Sequence, residues 1–444
     1  MSRLFRQLLC TALGAAALSA SANAQLPGLS AMPPVGLPLP TGNLPVAGPL
    51  LQNVLGRPDA QQAISPTLDS VSGVTTDIAN SGAPNLLELR RLRLQELIRT
   101  NRSTVESDGD GQPVRRGIVA VLDPDPAGLQ AALRAGFRII SDQTDPNLGL
   151  RSVSLAAPNG MSAKHGIKLL RRVAPELQSD FDPLFEPAGG DLRPMMAPVA
   201  GFQAGGAGQA IGMIDGGVAS HPSLAGKSIE QNGFAGPPRP TGHGTAVASL
   251  LVGTEGPFHG AATGARLYVA DIYGGNRAGG SATAIVRALG WLAGKHPQVI
   301  NISLVGPPNK LMERAIRAVE ARGIEVVAAV GNDGPAAPPQ YPASYPGVIA
   351  VTAVDGNGRA LPEAGKAAHL DFAAPGADMA AALPGSGFTR VRGTSFAAPL
   401  AAARLLEAGS PRALAREARP GKGRVGRGVV CGACRIDPRT MGLK

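Results

Sequence analysis

The chain has 444 residues, enough for two or three domains, and is 44% hydrophobic, 17% charged and only 3% aromatic. Its net charge of +10 gathers at the end: Arg412, Arg416, Arg419, Lys422, Arg424, Arg427, Arg435, Arg439 and Lys444 stand against Glu417 and Asp437. With one Trp and four Tyr, stacking platforms for single strands are lacking, so nucleic acid is excluded as a partner and the tail reads as a solvated basic surface.

Residues 1–24, "MSRLFRQLLCTALGAAALSASANA", put Arg3 and Arg6 before an apolar run and end on Ala22-Asn23-Ala24. That is the pattern of a secretory signal peptide with its cleavage site. No later run reaches the ~18 uninterrupted apolar residues of a spanning helix, so no stable membrane span is expected. Residues 25–115 form a Pro/Gly-rich spacer and then an accessory helix at 85–101, where Leu86, Leu89, Leu92, Leu97 and Ile98 recur at helical spacing among arginines. Packing on a neighbour is the better reading of that helix than a place on a membrane surface.

From 116 to 187 the pattern is strand (117–123), helix (126–136), two strands (137–141 and 150–156), helix (162–173) and a last strand within 176–185. This is a ferredoxin-like βαββαβ module, and it holds no cluster of catalytic residue types. Beyond a Gly/Pro/Met-rich joint at 186–209, five nearly unbroken apolar runs (210–215, 266–272, 299–305, 325–331 and 348–354) alternate with helical segments. Strands buried on both faces read this way, so the second domain, 188–444, is predicted as α/β with a parallel sheet and helices on both sides. Ligands are then expected beyond the carboxyl ends of its strands.

Three residues stand at such ends. Asp215 closes the first strand in "IGMIDGG", His243 opens a helix in "TGHGTAVASLL", and Ser395 opens another in "GTSFAAP". A hydroxyl needs a base to become a nucleophile, and the base needs a group to fix its tautomer. Each residue alone has a plain alternative: a turn carboxylate, a loop histidine, a helix cap with Pro399 in the first helical turn. Cys431 and Cys434, spaced C-x-x-C in a chain read as exported, are expected to form a local disulfide.

With "VVAAVGNDG" around Asn332, these motifs resemble the subtilisin-like serine proteases, the subtilases, over about 205–430. The resemblance implies a three-layer subtilisin-like catalytic domain with an Asp215-His243-Ser395 triad. Asn332 and the Ser395 N–H would form the oxyanion hole. It implies substrate binding along Ser303-Leu304-Val305 and Arg277-Ala278-Gly279, with Gly331 in the pocket wall and Gln340 near the pocket base. Val305, where the family usually has glycine, should narrow that pocket toward small or medium uncharged residues. It further implies that 116–187 is a prodomain, folding template and intramolecular inhibitor, cut away somewhere in 186–209. The expected product is a secreted, monomeric serine endopeptidase acting on polypeptides, with no cofactor and no metal. Gly216 departs from the Thr or Ser usual after the Asp, which favours, as the competing reading, a silent fold kept for binding. An esterase using the same triad is a third.

Overall fold

The structure, a computed structural model, describes residues 84–188, 208–276 and 278–443. The expected signal peptide, the spacer before 84 and most of the joint at 186–209 lie outside the described residues. Among those described, no helix is long and apolar enough to cross a membrane.

Helix α1 (Pro84–Thr100) comes first, with Leu86, Leu94 and Leu97 buried and Leu92 facing outward. A short strand β1 (Val105–Ser107) follows and pairs antiparallel with β2 (Pro113–Leu122). Then come α2 (Pro126–Arg134), β3 (Arg138–Asp145), β4 (Leu150–Ala156), α3 (Ala163–Val173) and β5 (Gln178–Pro187). Side chains set both helix starts: Asp125 accepts from Gly128 N ahead of α2, and Ser162 from His165 N ahead of α3. The four longer strands run β5-β2-β4-β3, each neighbour antiparallel. Val119, Val121, Val153 and Leu155 alternate onto one face and meet Leu129, Ile167 and Leu170 from the two helices. Each such buried side chain contributes about 1.5–3 kcal/mol of transfer free energy.

The second half is built on a seven-stranded parallel sheet. Its strands are β6 (Ala210–Asp215), β7 (Ile229–Gly233), β10 (Arg266–Asp271), β12 (Val299–Ile302), β14 (Glu325–Ala329), β15 (Ile349–Val354) and β16 (Phe372–Pro375). Two hairpins, β8–β9 (Thr254–Glu255, Phe258–His259) and β17–β18 (Met379–Ala382, Phe388–Val391), lie outside it. So do two short strands, β11 (Gly280–Ser281) and β13 (Leu304–Val305). The spatial order is β16-β15-β14-β12-β6-β10-β7, so the winding reverses at β6, and Asp215 ends that strand. A strand end at such a reversal is where an open α/β sheet leaves a crevice.

Helices α4 (Gly242–Val252) and α7 (Thr394–Ala408) cover one face, where Ile211 and Met213 of β6 point. Helices α5 (Ala282–Lys295) and α6 (Lys310–Glu320) cover the other, with Ile214. A terminal α8 (Pro411–Glu417) completes the set. These layers form the expected three-layer α/β arrangement.

The outer face of the antiparallel sheet, through Ala120, Leu122 and Leu150, joins the same core as α5 and α6. Two carboxylates of β5 meet the starts of those helices. Asp182 accepts from Thr283 N (3.0 Å) and Thr283 Oγ1 (2.9 Å), and Asp180 accepts from Lys310 N (2.9 Å). Each supplies an acceptor and a negative charge where a helix has free N–H groups.

Candidate active site

Asp215 and His243 are brought together by the start of α4. Thr241 caps that helix, its hydroxyl accepting from Gly244 N at 2.9 Å, and His243 sits in the first turn. His243 Nδ1 lies 2.9 Å from both carboxylate oxygens of Asp215, and Gly216 N donates to Asp215 Oδ1 at 2.7 Å. Both side chains are almost wholly buried, so the carboxylate fixes the imidazole with Nδ1 protonated and Nε2 free.

The glycine at 216 has a local cause. A Cβ there would stand 2.4 Å from Thr241 Oγ1, so the cap of the histidine helix occupies the space a Ser or Thr would need. Asp271, in register with Asp215 across β10 and β6, is a second buried carboxylate that sequence reasoning missed. Burial pushes its pKa up and the charge of Asp215 adds to this, against backbone N–H bonds from Arg239, Tyr273 and Gly274.

At the start of α7 the expectation needs correcting. The capping position is Gly393, with φ 138° and no side-chain cap, so Ser395 is the second helical residue and not the cap. A Cβ on Gly393 would press on Asn332 Nδ2 at 2.7 Å, which with its φ makes the position glycine's. Pro399 is the sixth residue of the helix, beyond the first turn where it was expected. A proline there leaves the carbonyl four residues back without its N–H. That carbonyl belongs to Ser395, and it accepts from the Ser303 hydroxyl at 2.9 Å. Ser395 Oγ and His243 Nε2 are both buried without a hydrogen-bond partner, and the His243 ring lies 5.2 Å, centroid to centroid, from Phe396, the residue after Ser395.

Asn332 follows β14. Its Oδ1 accepts from Thr394 N at 3.0 Å, which turns Nδ2 outward to donate to the carbonyl of Ala188. Ala188 is the residue after β5, whose end is flanked on both sides. Ala188 N donates to Ser303 O (3.0 Å), Pro187 and Glu186 lie opposite Leu304 and Val305, and Phe185 and Leu184 lie opposite Gly280 and Ser281. The chain segment 184–188 is thus the middle strand of a three-stranded antiparallel ribbon aimed at Asn332.

Among the expected binding residues, Ser303, Leu304 and Val305 line this segment directly. Pairing on the other rim falls at 280–281, just after the expected 277–279, while Ala278 packs against Leu184. Gly331 and Gln340 adjoin: a Cβ on Gly331 would stand 3.3 Å from Val305 Cγ1 and 3.4 Å from Gln340 Cγ. Phe185 is fully buried and lies over Gly306, whose added Cβ would come within 2.5 Å of the ring.

Residues 206–412 match the model of the subtilase family. Subtilisin Savinase of Lederbergia lenta is 34% identical over 202 residues, spanning 44% of this chain and 73% of that protein. The chain belongs to the subtilase family. Thermitase of Thermoactinomyces vulgaris is 32% identical over 227 residues, covering 49% of this chain and 81% of its own. In fold, the subtilase is similar to fervidolysin of Fervidobacterium pennivorans, at a TM-score of 0.59 and 20% identity, over 73% of this chain and 61% of that one. The family makes it a serine endopeptidase, a hydrolase acting on polypeptides. A disulfide joins Cys431 and Cys434 in this subtilase, and both cysteines pack on the core around α4 and α7.

Proposed function

We propose that this subtilase is made as an exported zymogen that cuts itself between Ala188 and Gly189. The observation that carries the reading is the Ala188 carbonyl, held by the Asn332 amide with the preceding four residues paired between β11 and β13. Backbone pairing on both sides is how an extended peptide adds to exposed strand edges. Residues 184–188 are, on this reading, a substrate bound as its own prodomain.

Ser395 Oγ attacks the Ala188 carbonyl carbon while His243 Nε2 takes the hydroxyl proton. Asp215 keeps the imidazole in the accepting tautomer and steadies the imidazolium that forms. Asn332 Nδ2 and the Ser395 N–H stabilise the oxyanion, aided by the positive end of α7. His243 then gives its proton to the nitrogen of Gly189 as the peptide bond breaks, leaving an Ala188 ester on Ser395. Water, deprotonated by His243, hydrolyses the ester and restores the hydroxyl.

The ferredoxin-like module expected at 116–187 is, in this reading, the core of the prodomain, with Ala188 as its last residue. Its Asp180 and Asp182 accept from first-turn N–H groups of α6 and α5, which suits a template for folding as well as an inhibitor. Val305 and Gln340 crowd Gly331, next to Asn332, which suits a narrow pocket and a preference for small residues before the cleaved bond. Export rests on the pattern of 1–24, and the Cys431–Cys434 disulfide suits an oxidising compartment.

N-terminal sequencing of the mature wild type beside full-length Ser395→Ala tests this. Gly189 as the new first residue in the wild type, with Ser395→Ala uncut and unlabelled by a fluorophosphonate, is expected. Cutting of both chains at one place would sink self-processing.

A further inference from the structure

Helix α1 lies ahead of the antiparallel sheet, yet its polar side reaches the oxyanion loop. Arg90 Nε donates to Asp333 Oδ2 at 3.0 Å, and Arg93 Nη2 to Asp333 Oδ1 at 3.0 Å. Asp333 directly follows Asn332. Arg93 also meets Glu186 at 3.3 Å, and Arg90 Nη2 donates to Gln112 Oε1 at 3.0 Å. The Asp333 side chain is 6% exposed, Arg90 11% and Arg93 24%, so the shared carboxylate is largely withdrawn from water. Burial opposes the charge of Arg93, but Asp333 and Glu186 outweigh it and hold the guanidinium well above its ordinary pKa.

Apolar contacts frame the ion pairs. Leu86 fills the space over Gly334, where an added Cβ would lie 2.9 Å from Leu86 Cδ1 and where φ is 81°. Leu97 joins Leu184 of β5 and Ala278 of the substrate rim in one small core. One helix therefore touches the loop that carries the oxyanion amide, the rim strand and the segment lying in the cleft.

We propose that Asp333, Gly334 and Ala278 form a second prodomain-binding site on the protease, outside the substrate strand, which takes an amphipathic helix carrying two arginines one turn apart. Its occupant is α1. This rests on the zymogen reading above and adds to it a grip that survives the cut. Cleavage after Ala188 frees the tail from chain continuity, but it leaves the bonds of Arg90 and Arg93 to Asp333 intact. A carboxylate shared by two guanidinium groups in a place poor in water cannot lose them cheaply, so release of the cut prodomain waits on this contact.

The test uses the full-length chain and follows three signals: the cut by gel, peptidase activity on a small peptide, and titratable Ser395 at the end. Arg90→Gln/Arg93→Gln yields, after the cut, a mature enzyme identical in sequence to the wild type, so any change in timing arises in the prodomain. Cutting at the wild-type rate is expected, with the interval between cut and full activity at least fivefold shorter. Asp333→Asn, normalised to its own final activity, should shorten the interval similarly, and the triple variant should shorten it no further. An interval equal to that of the wild type, with a full yield of titratable enzyme, overturns the proposal. Where the arginine variant gives little enzyme, the same result in Asp333→Asn overturns it. A first residue other than Gly189 would instead break the zymogen reading, and this inference would fall with it.

Discussion

The hydroxyl of Ser303 donates to the carbonyl of Ser395 at 2.9 Å, the carbonyl that Pro399 leaves without an N–H inside its helix. Ser303 Oγ in turn accepts from Asn301 Nδ2 at 2.9 Å. Ser303, beside the end of β5, is therefore tied to the backbone of Ser395 through a gap that a proline makes.

Ser303→Ala should strand that buried carbonyl and cost about 1–3 kcal/mol of stability. Adding Pro399→Ala supplies a helical N–H to the same oxygen, so the double variant should lose less than the two single effects together. Denaturant titrations in a Ser395→Ala background, which prevents self-digestion, measure the coupling. Strict additivity would show that the two residues do not share the carbonyl.

Val305→Gly removes the side chain that stands against Gly331 and Gln340. Cleavage after small residues should persist, while kcat/KM for peptides with Leu or Phe before the scissile bond should rise at least about tenfold, the scale of a few methylenes in a tight pocket. A peptide library cut by both enzymes gives the comparison, and an unchanged profile would mean that Val305 does not bound the pocket.

Glu320, at the end of α6, is pushed up from 4.5 to about 7 by burial first and the charge of Glu325 second, against Arg317. A carboxyl with a raised folded-state pKa contributes its stability fully below its ordinary pKa and loses it as pH rises through the folded value. The wild type should therefore lose stability between pH 4.5 and about 7 in a way that Glu320→Gln does not. At pH 8 the variant should be the more stable by about 1–2 kcal/mol, the shift being discounted for partial exposure, and near pH 5 the difference should shrink. Melting curves in the Ser395→Ala background decide it, and an equal gain at both pH values would exclude Glu320 as the source.

Periodicity made the parallel strands legible, because residues such as Ile211, Met213 and Ile214 must be apolar on both faces of a covered sheet. What escaped the sequence depends on contacts between distant residues. Gly216 reads as a lost hydroxyl until Thr241 is found in its space, and the two are 25 positions apart. Pro399 reads as a first-turn residue while the cap is placed at Ser395, since a capping glycine with positive φ leaves no side-chain signal. The α1 helix reads as packed on some neighbour, but the partner of its arginines is not legible because Asp333, 240 residues beyond Arg93, is no neighbour in the chain. The end of β5 at the Asn332 amide is legible only through the family resemblance, since its partners at 280–281 and 304–305 are set by the fold and not by local preference.

The place of β5 between β11 and β13 has a consequence for timing. While 84–188 is part of the same chain, it meets its site at the effective concentration of a tethered ligand, which for short connections is of order millimolar. On the zymogen reading, a cut after Ala188 makes the same contacts those of two molecules, and occupancy then follows their total concentration. Crowded at its source the protease would be silent, and carried into a larger volume it would awaken by dilution alone.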